Sequence, residues 1–454
     1  VAYLSGYNNK VIINVKHFFC PRSRTKKERG KIMEWQEFKI NNGIRVIYKH
    51  IPEFHSVSTG IWIKAGSRFE TENISGISHF IEHLLFKGTK KRNYKQIKEA
   101  IEGVGGTFNG FTSEEATCYW IKILGEYLEL SIDVLADMIQ NPLLKRKDIE
   151  KERNVIIEEI NMYKDIPARY VFELFDETLY NGHPLGQPIV GTVESIKRTE
   201  KEDMHRYIKN FYTAENIVVS IAGNINEMTM RRAVEKYLSP VPKKADNTFV
   251  LWKREPAGPK IKVLNKKTEQ THIVMGGLAP GRADRKRYPL AVLNTILAGN
   301  MSSRLFNRIR EEMGLAYAIK GMTKHYQDTG AYLIYAGVSP ENTEKAVSAI
   351  TDELKKIRDN GVKQNEMERA KKFIISQILM ELEDNLEYML WMGEQRLLRE
   401  KVISIKETVE EIKRVNSGNV KDIAGELFKA KNMYLSLIGP SVDREKLMKA
   451  ISRI

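Results

Sequence analysis

Two imidazoles and a carboxylate fall within five residues, in His79-Phe80-Ile81-Glu82-His83. Residues four apart on a helix stand on one face, one turn apart, so His79 and His83 can converge on one ion. Neutral imidazole is a good zinc ligand, and a catalytic zinc site takes three protein ligands and keeps one position open for water. Glu82, beside the pair, is placed to accept a proton from such a water. The order reverses the commoner His-Glu-x-x-His arrangement. Five residues alone leave a plainer reading open, two histidines on an amphipathic helix.

A third ligand is needed, and the helical segment 146–164 offers one. On a helical wheel Glu159 and Glu152 fall inside an apolar arc that includes Ile149, Val155, Ile156 and Ile160, while Glu150, Arg153, Asn154 and Asn161 lie opposite. Buried carboxylates are costly unless paired or metal-bound. A buried ion pair with Arg or Lys is the competing account of Glu159; the histidine pair in the same half favours metal. Glu158 lies at the rim, as a solvated residue.

The elements that must position these groups alternate along the chain. Residues 44–49 and 56–64 alternate apolar and polar, as strands do. Ser75 and Gly76 open a helix that Gly88 closes, and Asn93 caps another running to Glu102. Residues 116–124 read as a strand, and long helices follow at 126–140 and 146–164. Prolines 240, 242, 256 and 259 interrupt a polar, basic stretch that reads as a linker. Its two sides look like repeats. Asn216, Ser220 and Gly223 match Asn432, Ser436 and Gly439 at an offset of 216 residues, each set on an apolar strand. Self-similarity at that length indicates a duplicated domain rather than a solenoid.

Composition narrows the classes. A chain of 454 residues, 42% hydrophobic and 29% charged, is globular and of two to three domains. No apolar run is long enough to span a bilayer, so no membrane insertion is expected. Cys20 and Cys118 are the two cysteines, which excludes a disulfide framework and suits a reducing compartment. The net charge of +15 is uneven: residues 1–32 hold eight Lys or Arg against Glu28 alone. Those residues read as a basic N-terminal extension outside the fold. No aromatic and basic interleaving marks a nucleic-acid face, and Gly103–Gly110 lacks the Lys-Ser/Thr ending of a phosphate loop, so no nucleic-acid partner is expected.

GISHFIEHLLFKGT, with ERNVIIEEI downstream, resembles the pitrilysin–insulinase family of inverted zincins, in particular the branch containing mitochondrial processing peptidase and its bacterial relatives. The resemblance implies zinc, one ion per chain, held by His79, His83 and a distal glutamate 76 residues beyond the second histidine. That position is Glu159, which the wheel selects independently. It implies Glu82 as general base and Glu152 as an accessory group near the metal. GGTFNGFTSEEAT resembles the family's sheet edge beside the zinc, where Asn109 would hold substrate backbone. SSRLFNRIREEMGLAYAI resembles an Arg–Tyr element, with Arg310 and Tyr317 in its substrate-binding positions. His183, in HPLGQPIVGT, is expected in a packing role.

The implied fold is α+β: two homologous domains, each an antiparallel sheet covered by helices, facing one another as a clamshell. The catalytic domain would span 33–240, a linker 241–259, and a second domain 260–454. At the 216 offset His79, Glu82 and His83 fall on Thr295, Ala298 and Gly299, so the second domain should bind substrate and no metal. The expected enzyme is a cytoplasmic, bacterial-type metalloendopeptidase rather than a mitochondrial one. It would be a homodimer acting on extended or unfolded peptides. Glu114, Glu115 and Glu152 would suit a basic substrate side chain. A non-catalytic homologue is the alternative; such chains usually lose part of the metal motif.

Overall fold

The computed structural model describes residues 34–244, 249–253, 260–399, 401–440 and 442–454. The basic extension expected at 1–32 lies outside them, as does part of the linker. The first sheet contains β1 (Gln36–Lys39), β2 (Arg45–His50), β3 (Ser56–Ile63), β4 (Thr107–Thr112), β5 (Thr117–Leu124) and β6 (Ile217–Gly223), in the order β1-β2-β6-β3-β5-β4. The second contains β7 (Lys260–Asn265), β8 (Thr271–Ala279), β9 (Ala316–His325), β10 (Gly330–Val338) and β11 (Tyr434–Gly439), in the order β7-β11-β8-β10-β9.

Apart from β1 the two orders are the same, which is the duplication seen in the sequence. β6 and β11, the strands carrying the repeated triplets, enter the middle of their sheets late in each half. Each is antiparallel to one neighbour and parallel to the other, β2 or β7. The sheets are therefore mixed rather than purely antiparallel. Apolar alternation reports burial of a strand face, not strand direction; a strand returning after a long helical excursion can pair either way.

Helices cover the sheets, and each half lends one to the other. Helix Pro167–Leu179 leaves the first half to pack on β8 and β11. Its Val171, Leu174 and Phe175 join Val274, Leu333 and Ile438 in one apolar cluster. Helix Asn385–Leu398 makes the reciprocal crossing onto β3 and β6, where Met389 and Met392 join Trp62, Val218 and Ala222. The repeated serines lie under these crossings. Ser220 accepts a bond from Trp62 Nε1 at 3.0 Å, and Ser436 donates to Leu174 O at 3.3 Å. Gly393 is obligatory at its crossing, because a Cβ there would lie 1.9 Å from Trp62 Nε1.

A buried charge network latches the halves. Arg68, 1% exposed, bonds Glu115 at 2.6 Å and Asp328 at 2.6 and 2.7 Å. Glu115 also binds Arg282 at 2.6 Å and accepts from Gln327 N. The linker enters the same network, since Val250 O accepts from Arg68 and Trp252 N donates to Asp328. His183 holds Val250 O at 3.0 Å and stacks edgewise on Trp252, the packing role expected for it. Among the described residues no helix is long and apolar enough to cross a membrane.

Removing one member of a buried ion group leaves its partners unpaired and costs about 3–5 kcal/mol. Urea unfolding of Arg68→Ala should show a loss of that order. A loss within 0.5 kcal/mol, the size of an ordinary surface change, would mean that the latch does not hold the halves together.

Candidate metal centre

His79, Glu82 and His83 lie on the helix Ile77–Leu85, hereafter the motif helix. Glu159 and Glu152 lie on the helix Arg146–Asp165, which packs against it. The motif helix is almost wholly buried, with Phe80, Ile81, Leu84 and Leu85 in the core of the first half. That packing fixes the rotation of the helix and aims both imidazoles at the long helix. His79 and His83 have ring centroids 4.6 Å apart.

The structure brings His79, His83 and Glu159 to one point. Their ligand atoms all lie within 4.8 Å of one another. Glu159 Oε2 is 3.9 Å from His79 Nε2 and 3.7 Å from His83 Nε2. Donors around a tetrahedral zinc with bonds of about 2.0–2.1 Å stand roughly 3.4 Å apart, so small side-chain shifts would close the set. Two nitrogens and one carboxylate oxygen, with no sulfur, match the donor chemistry of a catalytic rather than a structural zinc site.

Glu152 supports the set from behind. Its Oε2 is 3.3 Å from His83 Nδ1, and Lys87 Nζ is 2.7 Å from its other oxygen. A proton on Nδ1 shared with Glu152 leaves the His83 Nε2 lone pair for a metal, the usual carboxylate–histidine arrangement. Burial pulls His83 down, but Glu152, Glu82 and Glu159 raise it on balance. Burial, then the neighbouring His83, lowers His79 to about 3, which keeps it neutral and able to ligate. Tyr163, one turn beyond Glu159, is pushed up to about 12 by burial and by that carboxylate.

Glu82 is 9% exposed and burial pushes it up to about 7, against the pull of Thr112 and His83. Thr112 Oγ1 donates to its Oε2 at 2.6 Å, and among the described residues Oε1 takes no hydrogen bond. Gly110 lets β4 pass over the helix, because a Cβ there would lie 3.2 Å from Glu82 Cγ. Asn109 precedes it on β4, a strand at the edge of the sheet, with Oδ1 turned to Gly110 N at 2.9 Å.

Other candidates lie elsewhere. Arg310 sits in a π-helical turn, Phe306–Glu312, with its guanidinium 5.2 Å from the ring centroid of Tyr317, which is 78% exposed. No hydrogen bond or ion pair among the described residues joins either to the metal group. Glu115 is engaged by Arg68 and Arg282, and Glu114 by Tyr326 at 2.7 Å and Lys324 at 3.6 Å. Neither is available to a substrate; their cationic partners are far away in sequence and invisible from the motif. The long helix also departs from its wheel. Arg153 is buried, bonded to Ile196 O and Thr199 O, while Val155 is 40% exposed. Residues 193–199 cover a side of the helix that apolar patterning leaves to solvent.

Thr112, Lys87 and Tyr163 are site residues that sequence reasoning missed. The last two stand one turn beyond His83 and Glu159 and were findable from spacing; Thr112 depends on sheet register. Glu173, on the helix that crosses to the second half, influences Tyr163. Burial, then Asp176, pushes it up to about 7, and it makes no hydrogen bond or ion pair among the described residues.

Comparison with known proteins agrees with this geometry. The family model described as insulinase, peptidase family M16, matches residues 45–193, and that of the peptidase M16 inactive domain matches 199–374. An uncharacterised zinc protease of Bacillus subtilis is 36% identical, over 89% of this chain and 98% of the relative. One from Streptomyces coelicolor is 34% identical, over 89% and 90%. Among solved structures, a protease from Helicobacter pylori superposes with a TM-score of 0.85 at 22% identity, over 89% of this chain and 99% of that one. A putative M16-like peptidase from Alicyclobacillus acidocaldarius gives 0.80 at 20%, over 90% and 98%. These two likenesses concern the fold.

Zinc titration, with metal content measured after dialysis, should give one ion per chain for the wild type and none for His79→Ala or Glu159→Ala. Glu152→Gln should bind about 10–100-fold more weakly, the usual cost of losing an outer partner. Unchanged affinity in Glu152→Gln would remove it from the centre.

Proposed function

The chain belongs to the insulinase family of peptidases, family M16, and on that premise we propose that it is a zinc-dependent endopeptidase that cleaves extended or unfolded peptides. The observation that carries this reading is the convergence of His79, His83 and Glu159, with Glu82 buried beside them. A bound zinc ion supplies Lewis acidity and a water whose pKa falls to about 7. Glu82 takes a proton at Oε1, the oxygen that the Thr112 bond leaves open, and returns it to the leaving amine. Burial makes it a base suited to that exchange near neutral pH.

Substrate binds along the open edge of β4 as an added strand, with Asn109 on its backbone. This mode reads main chain and excludes folded proteins. Glu173, which makes no hydrogen bond or ion pair among the described residues, is the acid assigned to a basic substrate side chain, since Glu114, Glu115 and Glu152 are engaged elsewhere. Arg310 and Tyr317 complete the site from a second copy of the chain. The exposure of Tyr317 and its pairing with Arg310 support a homodimer in which the pair stabilises developing oxyanion charge. The bacterial relatives and the sparse cysteines support the bacterial cytoplasm as the compartment. The non-catalytic alternative is disfavoured by the intact metal and base residues.

Digestion of a peptide library, read by mass spectrometry, tests this. The wild type should cleave, stop with a chelator and recover with zinc. Glu82→Gln should keep its zinc and lose about 10²–10⁴-fold in rate. A zinc-loaded wild type that cleaves no unfolded peptide would overturn the reading in favour of a structural role. Light scattering should give a dimer mass, and mixing Glu82→Gln with Tyr317→Phe should restore part of the activity that each lacks alone. A monomer, or no restoration, would refute the shared site.

A further inference from the structure

The motif helix begins without a cap of its own. Its N-cap residue is Gly76, at φ 89°, and no side chain bonds the first turn from that position. A larger residue is excluded there, because a Cβ would lie 2.6 Å from Val190 O. The N–H groups opening a helix must still find acceptors. Glu70, 2% exposed, supplies them from outside: Oε2 accepts from Gly76 N at 2.6 Å and Oε1 from Ser78 N at 2.9 Å. Burial pushes its carboxyl up to about 7, against the pull of the bonds from Ser78 and Gly76, and the group faces the positive end of the helix dipole. Ser78 is held a second time, with Oγ 2.7 Å from the hydroxyl of Tyr207.

His79 follows Ser78 directly, and its situation differs from that of His83. The ring of His83 is oriented by Glu152 through Nδ1. His79 Nδ1 is buried and has no hydrogen-bond partner among the described residues. No hydrogen bond among the described residues turns its ring through Nδ1, so its aim depends more on the backbone that carries it. The turn that carries Glu70 is itself anchored, since Arg68, two residues earlier, is the centre of the network latching the halves. A short exposed Ser or Asp would cap a helix at lower desolvation cost. A buried glutamate bridging two N–H groups fits a demand for position as well as stability.

We propose that Glu70 is a positioning residue of the metal centre, fixing the first turn of the motif helix and, through it, the aim of His79. The inference rests on the zinc reading given above. Glu70→Gln, of the same shape, can accept at one oxygen only; Glu70→Ala accepts at neither.

The test measures zinc dissociation constants by competition with a chromophoric chelator, and amide exchange across residues 75–81 in the zinc-free protein. Zinc affinity should fall about tenfold or more in Glu70→Gln and further in Glu70→Ala, within the range known for supporting groups. Exchange in the first turn should quicken, and cobalt-loaded variants should show altered visible absorption. If Glu70→Ala fails to fold, Glu70→Gln decides. Folded variants with wild-type zinc affinity and cobalt spectrum would overturn the proposal while leaving the zinc reading intact. Faster exchange with unchanged affinity would also overturn it, as an ordinary cap. A wild type that binds no zinc would overturn the zinc reading, and this proposal with it.

Discussion

Three side chains able to hold a metal, on two helices, must be kept within a few ångströms of one another, and most of the first half serves that constraint. The motif helix cannot rotate, because nearly all its residues are buried. The long helix cannot slide, because Arg153 is bonded to Ile196 O and Thr199 O and apolar residues flank it. Between them, Glu152 meets the charge of Lys87 and the imidazole of His83 at once. A buried carboxylate without such partners would be expelled or protonated. The metal group therefore sits in a web of compensated charges, and its acids keep different tasks: Glu159 faces the ligand point, Glu152 faces away from it, and Glu82 is set beside it under β4.

Duplication explains why a second half without the metal motif is retained. It repeats the strand order and supplies a helix to the first sheet, while receiving one in return. Each half thus completes the other's core, and neither sheet is covered on both faces by its own chain segment alone. At the position of Glu159 the second half has Ile375, and at those of the histidines it has Thr295 and Gly299. The scaffold is preserved there and the chemistry is not. Function lives in residues grafted on a fold rather than in the fold itself.

Much of this was legible in the sequence, and the limits have physical causes. Glu159 could be selected because an acid inside an apolar arc needs a partner, and the histidine pair in the same half favoured a metal over an ion pair with Arg or Lys. The repeated Asn-Ser-Gly triplets announced the duplication, since the serine is needed wherever a crossing helix comes close. Strand direction, the exchange of helices and the engagement of Glu114 and Glu115 were not legible. Each depends on groups brought together from distant parts of the chain, such as Arg68 with Asp328, on which local periodicity is silent. Arg310 and Tyr317 could be singled out by resemblance alone, and nothing in their own spacing marks them.

On the proposed reading, two imidazoles and one remote carboxylate share a zinc ion. X-ray absorption at the zinc edge of the loaded protein tests it most directly. Zinc held by His79, His83 and Glu159 should give a first shell of nitrogen and oxygen at about 2.0–2.1 Å, with the outer-shell signature of two imidazole rings and no sulfur. A sulfur shell, or a signal with fewer than two imidazoles, would contradict it.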